Sequence, residues 1–441
     1  MREGSLEAPT RHVIDWQNPD FIDAAKLDAE MRRQFDICHG CRRCFNLCDS
    51  FPRLFDLVDA AGDAEVHGVK SEDFKPVVDA CTLCDMCYMT KCPYVPPHEF
   101  NIDFPHLMLR YRAAEHAKHG TPFWDKQLTE TDRNGKLASL APGMANWASA
   151  KDNTLTRPVL EAVAGVDKKV ELPKFHGQTL MARAKANPPA LGAEGKATAR
   201  KAVIYATCFA NYNNPDIGTA ALGILAKNGV SAEVVYPECC GMPQLEQGDL
   251  ARVADKAKKI AAALRPHIDA GKDVIALVPS CGLMMKFEWP LIVPDDDNVK
   301  ALARATYDIC EYIVDIAKKE GLAPGLQNVG GVALHLACHA RAQNMGPKAA
   351  EMLRLIPQAE VAVIERCSGH GGSWGVKKGN FDVATKFAKQ TVQKTAAANK
   401  TFVASECPLA GKHIAQGMNE DIKTAVESLH PVQIFAKAYG L

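Results

Sequence analysis

The 441-residue sequence carries no excess of either charge, with 52 Lys and Arg against 52 Asp and Glu. No global field therefore draws it to nucleic acid, and no nucleic-acid partner is expected. It lacks the uncharged apolar run of about 18 residues that a transmembrane helix needs. The opening stretch MREGSLEAPTRH has no apolar core of the secretory kind. A cytoplasmic protein without a membrane span is expected. No glycine fingerprint for dinucleotides follows an apolar run, and the GHGG run at Gly369 to Gly372 lacks the Lys-Ser/Thr ending of a phosphate loop. Flavin or nicotinamide therefore belongs to a partner.

What the chain has is cysteine: 16 residues, eight of them between Cys38 and Cys92. A reducing compartment disfavours disulfides, so thiols this dense in a long chain point to metal. Cys38, Cys41, Cys44 and Cys48 follow C-x2-C-x2-C-x3-C; Cys81, Cys84, Cys87 and Cys92 follow C-x2-C-x2-C-x4-C-P. Three cysteines at two-residue gaps wrap three irons of a cubane, and the fourth ligand comes from elsewhere; in two-cluster ferredoxins it serves the other cluster. That rule assigns Cys38, Cys41, Cys44 and Cys92 to one 4Fe-4S cluster, and Cys81, Cys84, Cys87 and Cys48 to a second. Structural zinc also takes four thiolates but favours separated C-x2-C pairs.

The organisation expected along the chain is a polar arm over residues 1–30, then a helical ferredoxin-like domain over 31–119 with two clusters. The long spacer Asp49 to Ala80 favours the helical form. A helical and irregular connector follows over 120–200. Beyond it six short apolar runs, KAVIYATC, VSAEVVYPECC, DVIALVPSC, GVALHLAC, VAVIERC and TFVASEC, alternate with amphipathic stretches and each ends in cysteine. They form a repeat: Cys208 to Cys338 is 130 residues, Cys239 to Cys367 is 128, Cys281 to Cys407 is 126. Two α/β repeats with parallel sheets are expected, over 201–328 and 329–441. Ligands in such sheets gather beyond the carboxyl ends of the strands, so the cysteines converge on one edge.

In the first repeat Cys239-Cys240-Gly241 joins Cys208 and Cys281, giving four thiols for a third centre. The second offers Cys338, Cys367 and Cys407 for a shared or additional site. Histidines 335, 339, 370 and 413 lie nearby, and His370 and His339 are the candidates for a catalytic proton donor. Cys310 lies in ALARATYDICEYIVDIAKKEG, whose periodicity gives it a packing role on one helical face. Met284 and Trp374 read as packing.

The segments CHGCRRCFNLC, CTLCDMCYMTKCP, ECCGMP, PSCGLMMKFEWP, LACHARAQ and CSGHGGSWG resemble those of the CCG-domain iron-sulfur subunits of heterodisulfide reductase, glycolate oxidase and anaerobic glycerol-3-phosphate dehydrogenase. The resemblance implies an α+β multidomain protein in which two ferredoxin clusters feed a duplicated CCG domain. It also implies a flavoprotein partner that carries FAD, a quinone or other acceptor, and peripheral attachment at the cytoplasmic membrane face. The sequence departs from the full motif, a lone Cys, then Cys-Cys-Gly, then C-x2-C, at Met284, Ser368 and Ala410. Seven thiols stand where ten complete both halves, which favours a single additional iron-sulfur or metal centre.

The reading that follows is an electron-transfer subunit with substrate oxidation on a partner. The rivals are a self-contained redox enzyme reducing a disulfide or peroxide at the C-terminal centre, and a metal-stabilised scaffold without a redox cycle.

Overall fold

The computed structural model describes residues 9–441, so the first eight residues of the expected arm lie outside it. The remainder of that arm is not featureless. Arg11 plugs into the body of the protein (Nη2 to Asp85 Oδ1 2.7 Å), and helix α1, Ala24–Cys41, begins within the stretch read as arm. The side chain of Asp23 caps it by accepting from Lys26 N at 2.9 Å. Its apolar residues Leu27, Met31 and Phe35 recur at helical spacing and are buried, but the polar residues between them masked that period.

Helix α1 ends at Arg42, held in the left-handed region (φ 50°), which turns the chain sharply enough to bring Cys44 back beside Cys38 and Cys41. Helix α2, Ser50–Asp59, buries Phe51, Leu54, Phe55 and Val58, the i, i+3, i+4 stripe of an amphipathic helix. Helix α3, Phe104–His119, starts after Asp103, whose carboxylate caps it by accepting from His106 N. The connector supplies five short helices, α4 Phe123–Thr129, α5 Thr131–Leu140, α6 Pro142–Ser149, α7 Thr156–Ala164 and a further one at Leu180–Ala186.

Two four-stranded parallel sheets follow. The first contains β1 Lys201–Tyr205, β2 Ser231–Val235, β3 Asp273–Ala276 and β4 Thr306–Asp308; the second contains β5 Val332–His335, β6 Val361–Ile364, β7 Phe402–Ser405 and β8 Ser428–Leu429. Their strand orders are β2-β1-β3-β4 and β6-β5-β7-β8, the same path walked twice. The registers also correspond: Ala202 pairs with Asp273, and Val332 with Phe402. All six apolar runs are strands. The edge strands β4 and β8 were not expected, and β4 interrupts the segment read as one helix around Cys310. They are three and two residues long, below the length at which alternation is legible. Cys310 itself is buried in the next helix, Ile309–Lys319, as packing.

One core joins the N-terminal block to the first half, from Phe35, Leu54 and Phe55 to Val253, Met285 and Trp289. A second runs through both halves, from Ile204 and Ile275 to Leu334 and Phe435. The two halves and the block thus pack as one body around the strand ends.

Candidate metal centres

Fifteen of the sixteen free cysteines fall into four neighbouring groups. Cys38, Cys41, Cys44 and Cys92 line one recess, walled by Ile37, Phe51, Phe55 and Ile102. Cys38 and Cys41 come from the last turn of α1, and Cys92 from the far end of the second cysteine run. Burial pushes the Cys44 thiol up to about 12, with Cys92 and Cys41 adding to it. Burial pushes Cys92 up to about 11, and Cys41 again contributes.

Cys48 belongs with the second run. Its thiol is raised by burial and then by Cys84 and Cys81. Burial drives Cys84 up to about 12. Cys87 is raised by burial, by Cys84, Cys81 and Cys48, and by Cys44 of the first group, so the two groups adjoin. Leu83 and Asp85 take positive φ on either side of Cys84 (49° and 63°), which winds the ligand loop tightly. Two side chains brace this loop: Ser50 Oγ donates to Val77 O at 2.7 Å, and Arg112 of α3 donates to Val78 O at 2.8 Å and to Cys81 O.

The first half assembles the third group at three successive strand ends. Cys208 opens helix α8, Cys208–Tyr212, after β1; Cys239 and Cys240 follow β2; Cys281 lies in helix α9, Pro279–Leu283, after β3. Tyr205 lies beside all four, and its hydroxyl is raised by burial and by each thiol in turn. Within the group Cys239 is held well below the usual thiol range, because Cys208 and Cys240 hydrogen-bond to it. Asp132 of α5 accepts from Cys239 N at 2.8 Å, and Lys256 approaches Cys239 O at 3.3 Å. Asp132, Tyr205 and Lys256 carry no motif, so sequence reasoning missed them.

In the second half Cys338 opens helix α10, Cys338–Ala342, after β5, while Cys367 and Cys407 follow β6 and β7. Burial raises the Cys338 thiol, followed by Cys84, Cys407 and Cys367. Cys367 also acts on Cys48 and Cys84, and Cys407 is raised by burial and, among smaller causes, by Cys281. This three-thiol group therefore lies between the second and third groups. Cys367 is the one exposed cysteine.

The histidines divide. His335 is buried and satisfied, with Nδ1 at 2.9 Å from Ser405 Oγ and Nε2 at 3.0 Å from Arg366 O, and burial lowers it to about 4. His339 is a strut: Nδ1 lies 2.8 Å from Ser280 Oγ, beside Cys281, and Nε2 lies 3.2 Å from Leu83 O, beside Cys84. With both nitrogens engaged it has none free to deliver a proton. His370 Nε2 is buried without a partner, but burial and then His413 push the ring down to about 3, which keeps it neutral. Met284 is fully buried packing.

The donor sets fit iron-sulfur clusters. Buried thiols that raise one another are an expensive way to fill a core and a suitable way to bind a cation-rich group. Among the described residues no three His, Cys, Asp or Glu side chains converge as one metal ion would require. A cubane asks for something different, a separate iron for each thiolate.

The CCG cysteine-rich domain model matches residues 202–286 and 332–414, one copy in each half. The chain is 24% identical over 323 residues to one of the subunits of anaerobic glycerol-3-phosphate dehydrogenase from Escherichia coli (strain K12), covering 70% of this chain and 76% of that protein. It is 30% identical over 193 residues to lactate utilization protein A of Geobacillus sp. (strain WCH70), covering 41% of this chain and 77% of that one. It is 26% identical over 269 residues to one of the subunits of dihydromethanophenazine:CoB–CoM heterodisulfide reductase from Methanosarcina mazei, covering 58% and 62%. These relatives give the chain a general redox role. No helix among the described residues is long and apolar enough to cross a membrane.

Proposed function

The chain belongs to the family of cysteine-rich CCG-domain proteins, and from that premise we propose that it is the iron-sulfur electron-transfer subunit of a flavin-dependent dehydrogenase complex. A partner flavoprotein carries FAD and oxidises glycerol 3-phosphate, glycolate or a similar donor. This chain conducts the electrons onward to a quinone-like acceptor from the cytoplasmic membrane face. The observation that carries the reading is the succession of thiol groups, in which Cys44 acts electrostatically on Cys87, Cys367 on Cys84, Cys84 on Cys338 and Cys281 on Cys407, while His339 ties Leu83, beside Cys84, to Ser280, beside Cys281.

In this reading residues 31–119 form a ferredoxin-like domain. Cys38, Cys41, Cys44 and Cys92 hold one 4Fe-4S cluster there, and Cys81, Cys84, Cys87 and Cys48 hold the second. After the connector of residues 120–200, the halves 201–328 and 329–441 supply Cys208, Cys239, Cys240 and Cys281 for a third centre. Cys338, Cys367 and Cys407 form an intermediate station. When bound, such clusters supply one-electron carriers whose potentials span roughly −700 to +450 mV according to their surroundings.

The chain's own residues do the rest. Phe51, Phe55 and Ile102 keep water from the first thiol group. Arg112 fixes the second ligand loop, and His339 locks that loop to the helix of Cys281. Asp132 and Lys256 hold the Cys239 backbone from either side.

Anaerobic purification with iron and acid-labile sulfide counts, followed by electron paramagnetic resonance during reductive titration, tests the reading. Cys84→Ser is expected to remove one low-potential signal and spare the first-half signal; Cys240→Ser is expected to do the reverse. Colourless protein without inorganic sulfide, or zinc in its place, would overturn it.

A further inference from the structure

Nine of the eighteen large apolar side chains exposed among the described residues fall between Phe123 and Val163. Eight of them lie on the connector helices and Leu155 stands just before α7; the helices pack on one another, α4 on α7 and α6 on both α5 and α7. Helix α5 shows the arrangement most clearly. Arg133, Lys136, Leu137 and Leu140 recur at i, i+3, i+4 and i+7 and are all exposed, Leu140 at 83%. The same pattern continues with Trp147 on α6 and with Val159 and Val163, one turn apart on α7.

The charge on this face is one-sided. The acids between Phe123 and Val163 are tied down elsewhere: Asp125 by Lys377 at 2.6 Å, Glu130 by Arg252 at 2.6 Å, Asp132 by Cys239 N at 2.8 Å and Glu161 by Lys168 N at 3.0 Å. Asp152, in the turn before α7, is the exception. Lys151 is paired with Glu420, but the exposed cations Lys126, Arg133 and Lys136 have no carboxylate partner among the described residues, and Arg133 bonds the amide oxygens of Gln127 and Asn134 instead. The overall neutrality of the chain conceals this local excess.

We propose that this face docks the protein onto an anionic lipid surface. Short helices with Trp, Leu and Val outward and cations on the same face lie in the plane of a membrane interface, where tryptophan sits at headgroup level and Lys and Arg stems reach up to the phosphates. Protein interfaces, by contrast, deplete lysine from such a centre. The inner side of α5 meets the third thiol group: Asp132 binds Cys239 N, and Gly135 abuts the Tyr212 ring so closely that a Cβ there would lie 2.3 Å from it. Docking would set the first-half thiols about one helix diameter, roughly 10 Å, from lipid. That consequence rests on the reading of a quinone-like, lipid-soluble acceptor; the docking itself involves no electron transfer.

The test is flotation of the full-length, cluster-loaded protein with vesicles of phosphatidylglycerol and phosphatidylcholine, against phosphatidylcholine alone. Binding is expected to the anionic vesicles and to weaken in high salt. Leu137→Ser with Leu140→Ser should weaken it at least about tenfold, and Arg133→Gln with Lys136→Gln about fivefold for each cation removed. Iron and sulfide content unchanged from wild type certifies that each variant folds. Absence of binding to anionic vesicles, or binding indifferent to both pairs of substitutions, overturns the proposal. So does a wild-type dimer in sedimentation that the leucine variants make monomeric without vesicle binding, or loss of flavoprotein binding alone. Colourless protein that still floats would defeat the redox reading and leave the docking face standing.

Discussion

Arg11 and Asp85 form a salt bridge of 2.7 Å in which both side chains are nearly buried. The same guanidinium reaches Asp103 and Glu288, each at 3.1 Å, and stacks 4.3 Å from the Tyr88 ring centre. One guanidinium thus bridges three acids contributed by the second ligand loop, the cap of α3 and the first half. Arg11→Ala should leave these carboxylates uncompensated and cost about 3–5 kcal/mol. A lower urea midpoint for the cluster-loaded protein checks this, and an unchanged midpoint would mean that water replaces the guanidinium without loss.

His106 belongs to the same network, with Nε2 at 3.2 Å from Glu288 Oε2. Burial and Arg11 oppose its protonation, but Asp103 and Glu288 outweigh them and raise it above 6.5. A group raised on folding stabilises fully below its unfolded value and loses that contribution as pH climbs through its folded value. The midpoint of unfolding should therefore fall between pH 6.5 and the alkaline side, and His106→Gln should flatten that part of the profile.

Gly369 stands beside Cys367 with φ of +72°, and a Cβ added there would lie 2.0 Å from Ala384 O. Its N–H donates to Cys367 Sγ at 3.3 Å. Gly369→Ala must move the loop that carries the exposed thiol. A cost of about 1–3 kcal/mol is expected. Faster alkylation of Cys367 in metal-free protein, followed by mass spectrometry, would register the displacement.

The strut formed by His339 gives a separate expectation. Replacing it by alanine leaves Leu83 O and Ser280 Oγ without their partner and should lower stability by about 1–3 kcal/mol while the iron count is retained. Iron lost together with stability would mean that this tie is also needed to keep metal bound at the loop.

Removing metal should be felt most in the N-terminal block, where eight thiols stand at the centre of a small helical unit. Chelation after oxidation is expected to open residues 42–49 and 80–92 to protease before the parallel sheets are cut. Cleavage within the sheets first would contradict that order.

The sequence was legible wherever the chemistry is local. The spacing of the thiols in the runs at Cys38 and Cys81 is local, so it can be read directly from the sequence. The matching offsets of Cys208 and Cys338, and of Cys281 and Cys407, disclose the repeat because strands and crossovers have nearly fixed lengths. Contacts made by docking one unit on another leave no such trace. Nothing near His339 signals that it spans Leu83 and Ser280, and nothing near Arg11 signals three distant acids. Helix α1 was hidden because its buried face is carried by only a few apolar residues among charged ones, and β8 because it is two residues long.

Cys281 and Cys407 occupy equivalent places after the third strands of the two sheets, and these places meet. A unit copied in tandem would thus find its twin by its own reactive margin, without a separate joint. Departures from the full motif, such as Ser368 and Ala410, leave that junction intact, so the two copies are free to specialise while remaining in touch.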